Sequence, residues 1–421
     1  MRYFWLALAL IAVPAAAQTD GASHKKLLST LVAEALVNNP EVQAARRERD
    51  AAQQRIAPAG ALDDPMLEAG VLNLPTNSLR FDREDMTMKM IGLSQRLPYP
   101  GKRGLREDVA TKDAETVGYG YRETVNRVAR DVKNAYFDLG LTIEMIRLVE
   151  KNRLIVEQLL RITEGRYSVG QGRQTDVLKA QTQLSKMSDE LIKLARERRT
   201  VEAELNRVLG RGAAAAAPLP APAPLREESL NLESLRETAL TQRPQLLALQ
   251  SIVSKNEKAL DLARKEYYPD FDVRLSYGQR DRMPDGARRS DMVSLTVAIN
   301  LPVWRGSKLA PRVAESLAMR DQAQSMYEAQ RNEVAMKLSQ QAAAVEQNLK
   351  SARLYQTAIL PQARLTVEST MGAYRVNQVD FLTLIESQMT VFNTEISLVT
   401  ASANYNKALA EIDLLTGKLP E

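Results

Sequence analysis

Two segments in the second half of the chain alternate between apolar and polar residues. From Phe271 to Tyr277 the odd-numbered positions are apolar or aromatic and the even-numbered ones are polar, and residues 293–299 repeat this alternation after a polar loop. A period of two is typical of β-strands with one apolar face. We predict a strand hairpin at 269–301, with strands of about nine residues that could cross an outer membrane when tilted. A half-buried hairpin in a soluble domain would show the same pattern.

Long helices follow this hairpin and a matching one at 65–97. Apolar side chains recur at alternating spacings of three and four residues over 177–208 and over 125–146. A sustained seven-residue repeat imposes left-handed supercoiling on packed helices. We therefore predict antiparallel helical hairpins that turn near residues 170 and 377, with a first arm roughly 100 Å long.

The chain contains two copies of this arrangement. A shift of 204 residues places Pro65 on Pro269, and after a gain of three residues a shift of 207 places Gly210 on Gly417. A repeat of this length indicates one structural unit used twice. Pro361 falls inside the second arm, where it should kink or break the helix. The predicted organisation is a signal peptide at 1–17, a first repeat at 18–211, an Ala/Pro-rich linker at 212–230 and a second repeat at 231–421.

The N-terminus has the three zones of a secretory signal peptide. Arg2 is followed by an apolar stretch over residues 3–13 and by small residues at 15–17. The rest of the chain has no apolar run long enough for a transmembrane helix. It contains no Cys, which excludes disulfides, thiolate metal sites and an acylated N-terminal Cys.

Composition and charge argue against an enzyme and against a nucleic-acid partner. The net charge is +5, from 57 basic and 52 acidic residues that are interspersed along the chain, so no basic patch is evident. The only His is His24, near the predicted mature N-terminus, so His-based acid–base catalysis and zinc catalysis have no constellation of residues. We expect no catalytic activity and no cofactor.

Four short motifs lie in or beside the doubled unit. They are the strand-to-helix exit Gln95-Arg96-Leu97-Pro98-Tyr99-Pro100-Gly101-Lys102, its partner Asn300-Leu301-Pro302, the turn Tyr167-x-x-Gly170, and Ile359-Leu360-Pro361. With these motifs the doubled unit resembles the TolC-type outer-membrane efflux family over essentially the whole predicted mature chain.

The resemblance implies a mainly α fold with a small membrane β part. Four strands per chain would contribute to a trimeric, twelve-stranded β-barrel, continued by a long antiparallel coiled-coil helical barrel in the periplasm. It also implies a homotrimer in the outer membrane that acts as the duct of a tripartite efflux system. The implied partners are outer-membrane lipid, a periplasmic adaptor (membrane-fusion protein) and an inner-membrane pump of the resistance–nodulation–division class.

The resemblance also suggests functional residues in the helical region. The two turns would dock the adaptor, through Val169, Gly170, Gln171, Val376, Asn377 and Gln378. Because Asn377 stands where the first turn has Gly170, the two tips need not be equivalent. Asp380 and Glu386 lie where the family narrows its duct, and Glu386 would form a ring of three carboxylates that favours cations.

The strand-to-helix exit most resembles the branch that serves heavy-metal cation pumps. By strand parity Met66, Met88 and Met90 would face the lumen, with Glu68 and Met86, while Leu67, Ala69, Ile91 and Leu93 would face lipid. Thioethers suit soft ions such as Cu(I), although flexible Met side chains also serve as simple filling.

Other functions remain open at this point. The cargo could be drugs, other organic compounds or a secreted polypeptide. From another class, a periplasmic adaptor has one long helical hairpin, whereas this chain has two. A coiled-coil scaffold without a pore would leave the amphipathic strands without a role.

Overall fold

The computed structural model describes residues 16–220, 225 and 230–418. Most of the predicted signal peptide therefore lies outside the described residues, as do parts of the linker. The helices are α1 (Ala16–Asn38), α2 (Pro40–Gln54), α3 (Ile56–Gly60), α4 (Lys102–Ser168), α5 (Gln174–Leu209), α6 (Leu232–Gln242), α7 (Pro244–Lys265), α8 (Ala310–Leu354), α9 (Leu360–Arg375) and α10 (Phe381–Thr416). In the described part of the chain, no helix combines the length and apolarity that membrane crossing requires.

Four strands form one antiparallel sheet in the order β1 (Met66–Leu72), β2 (Met88–Leu97), β3 (Phe271–Gln279) and β4 (Met292–Ile299). Both predicted hairpins are present, and β2 pairs with β3 across the two halves of the chain. The outer strands β1 and β4 each have one edge without a partner strand in the described chain. Unpaired backbone groups at a sheet edge call for a further strand, particularly in lipid.

The two faces of the sheet differ in chemistry, as the alternation predicts. The pairs Leu93–Leu275 and Leu275–Leu295 place leucines on one face, and all three side chains are more than half exposed. The opposite face carries polar residues, including an ion pair between Arg274 and Glu68 at 3.0 Å. Exposed leucines on a bare sheet face fit a surface that contacts lipid.

The chain divides into two compact units that do not follow the sequence repeats. One contains residues up to Ala45, Tyr121–Pro244 and the chain from Arg331 onward; the other contains Arg46–Gly120 and Gln245–Gln330. The sheet lies in the second unit. The first unit has an apolar core in which Tyr136, Leu139 and Leu205 are almost fully buried.

Helices α5 and α10 occupy equivalent places in the two halves of the chain. Each has 36 residues, and each ends at a glycine in the left-handed conformation, Gly210 and Gly417. At Gly210 a Cβ would lie 2.6 Å from the Asn38 carbonyl oxygen, and at Gly417 it would lie 2.5 Å from that of Gln242. Any larger residue would therefore clash with the end of α1 at the first position and with the end of α6 at the second.

A π-helical segment explains one residue of the length difference between the two halves. Before this segment, equivalent buried residues of the two halves differ in residue number by 206, as Val132 and Leu338 do. After the segment they differ by 207, as Val156 and Ala363 do. The segment Tyr355–Ile359 lies between them, and a π-helical turn holds one extra residue. It ends directly before α9, near whose start Pro361 lies, so the expected interruption of the α-helix is present.

Candidate functional sites

The strand-to-helix exit is held by a buried ion pair. The Lys102 Nζ donates to Asp270 Oδ1 at 2.7 Å and to the Tyr268 carbonyl at 2.8 Å, and Lys102 is only 4% exposed. Asp270 Oδ1 also accepts the Tyr99 N–H at 2.9 Å, and Arg96 lies 3.5 Å from Oδ2. Burial raises the pKa of Asp270. The hydrogen bonds and charges of these donors, of which Lys102 has the largest effect, lower the pKa by more, so that it lies below its ordinary value.

The Leu-Pro-Tyr-Pro-Gly-Lys exit therefore has a structural role. Its lysine and its tyrosine N–H join the end of β2 to the residue that precedes β3. The Tyr99 ring also stacks on Tyr268, with centroids 4.6 Å apart, and the Lys265 Nζ lies over both rings at 5.7 and 5.6 Å. These contacts account for the motif without reference to cargo.

The three predicted lumen-facing methionines share one face of the sheet but do not converge. Met90 pairs with Gly70 and Met88 with Leu72, whereas Met66 pairs with Ser94 near the other end of β1. Met88 is 7% exposed, and a Cβ on Gly278 would overlap its Sδ. Met88 thus packs over a glycine of β3. Met86 lies in the loop before β2, outside the strands.

The two predicted tips have the same backbone geometry. Gly170 N–H donates to the Tyr167 carbonyl at 3.0 Å, and Asn377 N–H donates to that of Tyr374 at 3.2 Å. The following residues in both turns donate to the carbonyl one position earlier, which is the Schellman pattern. Both central residues have positive φ, 75° at Gly170 and 60° at Asn377. At the backbone level the two tips are equivalent, although a glycine and an asparagine occupy them.

Arg166 connects the first helical hairpin to the second tip. Its guanidinium donates to the Tyr374 carbonyl at 2.6 Å, lies 4.7 Å from the centre of the Tyr374 ring, and contacts Asn377 Oδ1. Tyr374 is buried, whereas Tyr167, its counterpart in the first tip, is 49% exposed. The tips are thus alike in backbone and different in side-chain surroundings.

The two candidate gate residues differ in what they contact. Asp380 is the N-cap of α10, and its Oδ1 accepts the Thr383 N–H at 2.9 Å and the Thr383 hydroxyl at 2.6 Å. These two bonds hold the Asp380 pKa below its ordinary value. Glu386 is exposed and its carboxylate has no ion pair among the described residues. Asp380 therefore has a capping role at the start of α10.

Sequence reasoning missed a further candidate, a buried carboxylate on α10. Glu395 is 8% exposed and accepts bonds from Lys151 at 2.8 Å and from Arg364 at 2.9 Å. Burial raises its pKa, but the two cations outweigh burial and keep the pKa low. Asn152, one residue after Lys151, accepts a bond from Gln388 at 2.9 Å. No local motif marks this group, because its members lie on three helices.

Among the described residues no group of three or more His, Asp or Glu side chains is arranged to hold a metal ion.

Four amphipathic strands followed in the same chain by long helical hairpins are typical of outer-membrane channel proteins that have both a β part and a helical part. The chain belongs to the outer membrane efflux protein family, whose model matches residues 31–211 and 235–418. The starts of the two matched stretches are 204 residues apart and their ends 207 apart, the same offsets as in the sequence repeat. Membership confirms the TolC-type resemblance, the location in the outer membrane with a periplasmic extension, and the expectation that the chain is not an enzyme.

Individual relatives are distant. The chain is 21% identical to the multidrug resistance outer membrane protein MdtP of Escherichia coli O6:H1, over 64% of this chain and 55% of that protein. It is 23% identical to the outer membrane efflux protein BepC of Brucella suis, over 75% of this chain and 69% of that protein. The chain thus spans about half the length of MdtP. The outer membrane protein VceC of Vibrio cholerae has the same fold, with a TM-score of 0.81 and 16% identity over 95% of this chain and 98% of VceC.

Proposed function

We propose that this protein is the outer-membrane duct of a tripartite efflux system and conducts its cargo passively. The observation that carries this is the sheet, which has one exposed apolar face, one polar face and two open edges, and which continues into two long helical hairpins. One chain has too few strands to close a barrel. Three copies would contribute twelve strands and leave no open edge in lipid.

We propose organic compounds, including drugs, as the cargo. The relatives that support this are named for multidrug resistance or for efflux. The strand-to-helix exit, which resembles the heavy-metal branch, is weaker support for a metal cargo, because its Lys102 and Tyr99 make contacts that stabilise the fold. Heavy-metal cations are the second candidate, favoured by Met88 and Met90 on the polar face of β2.

A deletion strain separates the two cargoes. Loss of the gene should sensitise cells to organic dyes and antibiotics, and a plasmid copy should restore resistance. Unchanged drug sensitivity together with new sensitivity to copper or silver would favour metal cations instead. Unchanged sensitivity to both groups would count against an efflux duct.

We propose that the tips dock a periplasmic adaptor. The six tip residues named above lie in turns. Val169 and Val376 are 67% and 65% exposed, so each turn presents an apolar side chain that a partner could cover. Because the chain has no cysteine, Val169→Cys and Val376→Cys each introduce a single thiol. A photoactivatable label there should cross-link to the adaptor in cells, whereas the same label at exposed Lys308→Cys should not. Equal cross-linking from all three would refute docking at the tips.

A further inference from the structure

Methionine and glycine alternate along one row of residues that crosses the sheet. Gly70 pairs with Met90, Met90 with Gly278, and Gly278 with Met292. Directly opposite residues of paired strands have Cα atoms about 4.5–5.5 Å apart and point to the same face. Met90 and Met292 therefore flank Gly278 on its two sides. We call Gly70, Met90, Gly278 and Met292 the methionine row.

A third methionine reaches the same glycine. Met88 lies two residues before Met90 on β2, so the two side chains share a face of the sheet. A Cβ on Gly278 would overlap the Met88 Sδ, which means that this sulfur occupies the space that the glycine leaves open. The Met88 thioether thus lies over Gly278, between the positions of Met90 and Met292.

The three thioethers are shielded from water to different degrees. Met88 is buried and Met90 and Met292 are half-buried, whereas Met66, on the same face near the other end of β1, is 66% exposed. A methionine side chain is unbranched and has several rotatable bonds. The sulfurs of Met90 and Met292 can therefore turn towards the sulfur of Met88 without a change in the backbone.

The charges around the methionine row suit a bound cation. The next row towards the helices has one charged side chain, the Glu68 carboxylate, and its other members are Gly92, Ser276 and Ser294. On the other side, the guanidinium of Arg280 donates to the Ser290 carbonyl at 2.6 Å and to the Asp85 carbonyl at 3.2 Å, so this cation is held by the loop backbone. Neither row places a cationic side chain beside the three sulfurs.

We propose that Met88, Met90 and Met292 form a binding site for a soft monovalent cation such as Cu(I). Thioethers are soft ligands that favour Cu(I), whereas Mg²⁺ and Ca²⁺ take oxygen ligands. The chain contains no Cys and a single His, so methionines supply most of its soft ligands.

The site needs only the sheet of one chain, because all three sulfurs come from β2 and β4 and meet over a glycine of β3. It rests on the proposed function in one respect, namely that the polar face of the sheet lines the duct. A soft cation bound there belongs to the second of the two candidate cargoes.

Silver binding to the purified protein in detergent tests this site. Ag(I), a soft cation with the same charge as Cu(I), is added as silver nitrate in chloride-free buffer, and binding is followed by titration calorimetry. The natural protein should bind one more Ag(I) per chain than Met90→Leu with Met292→Leu, a double change that nearly conserves side-chain volume. Met66→Leu, the matched control at an exposed methionine of the same face, should bind as the natural protein does.

A second pair of variants moves a sulfur without removing it. Gly278→Ala places a methyl group where the Met88 Sδ lies, so this sulfur has to move away. Binding of Ag(I) should weaken by about tenfold, as when a metal site keeps its ligands but loses their support. Gly70→Ala, in the same row, adds a methyl group that meets nothing within 4 Å and should leave binding unchanged.

Two results would overturn the site. If Met90→Leu with Met292→Leu binds as much Ag(I) as the natural protein, or Met66→Leu loses as much, the three methionines pack the sheet and are not ligands. If Gly278→Ala binds Ag(I) as tightly as Gly70→Ala, the sulfurs do not act together. Native mass of the same samples keeps this test apart from the duct: assembled copies that bind no Ag(I) at these residues refute the site alone, whereas single chains that bind it refute the duct alone.

Discussion

Replacing Lys102 by methionine should destabilise the unit that contains the sheet. The change removes the 2.7 Å bond to Asp270 and leaves that carboxylate buried with the Tyr99 N–H and the more distant Arg96. Breaking a buried ion pair by removing one partner costs about 3–5 kcal/mol. Because two donors remain, we expect the low end, about 3 kcal/mol, which is roughly a 100-fold change in the unfolding equilibrium.

A double-mutant cycle distinguishes the contribution of the ion pair from the other effects of losing the lysine side chain. Lys102→Met with Asp270→Leu removes both charges, and we expect it to recover most of the lost stability, since paired apolar replacements of buried ions are often neutral. Lys308→Met, at an exposed lysine in the same unit, should change stability by less than about 0.5 kcal/mol.

The assay is urea unfolding of the refolded protein in detergent micelles. Trp304 is the only tryptophan outside the predicted signal peptide, and it lies in the same unit as the sheet, so its fluorescence reports that unit. A loss below about 1 kcal/mol for Lys102→Met, or a double variant no better than the single ones, would refute the structural role of the motif.

The same pair predicts an acid response. The Asp270 pKa is below its ordinary value when folded, so the carboxylate adds stability above the ordinary Asp pKa, and this is lost as pH falls through the folded pKa. In Lys102→Met the main opposing donor is gone and the folded pKa rises. Acid-induced loss of the Trp304 signal should then begin at a higher pH than in the natural protein; onset at the same pH would contradict this.

Three further outcomes are expected in the helical region. Asp380→Ala should lower the free energy of unfolding by about 1 kcal/mol through loss of the N-cap and leave ion selectivity unchanged. Glu386→Gln should instead lower single-channel cation selectivity and weaken block by multivalent cations in a planar bilayer. The reverse pattern would make Asp380 the gate. Gly170→Trp should abolish efflux while copies still assemble, and intact transport would count against docking there. Glu395→Gln, which leaves Lys151 and Arg364 facing a neutral amide, should lower the thermal midpoint more than Glu386→Gln does; equal midpoints would show that the buried triad adds nothing.

Much of the fold follows from local pattern. The alternation around Leu275 and Leu295 predicts both strands and their faces, because side-chain direction in a strand has a fixed period. The turns at Gly170 and Asn377 follow from residues that accept positive φ. These features depend on neighbours in sequence, so sequence alone is enough.

The contacts that distinguish the candidate sites could not be predicted in the same way. Lys102 and Asp270 are 168 residues apart and meet only because β2 and β3 pair. Asp380 was predicted as a gate residue, although an Asp three residues before Thr383 at a helix start is also a recognisable N-cap signal. Glu395 looks like any coiled-coil glutamate until the helices that bring its two cations are in place.

We propose that this chain forms an outer-membrane duct only when several copies assemble. The number of copies can be measured by native mass spectrometry of protein extracted from outer membranes in mild detergent. We expect a single species with three times the mass of one mature chain, since a lone four-stranded sheet would leave two open edges in lipid. A stable species with the mass of one chain, still extracted from the outer membrane, would contradict it.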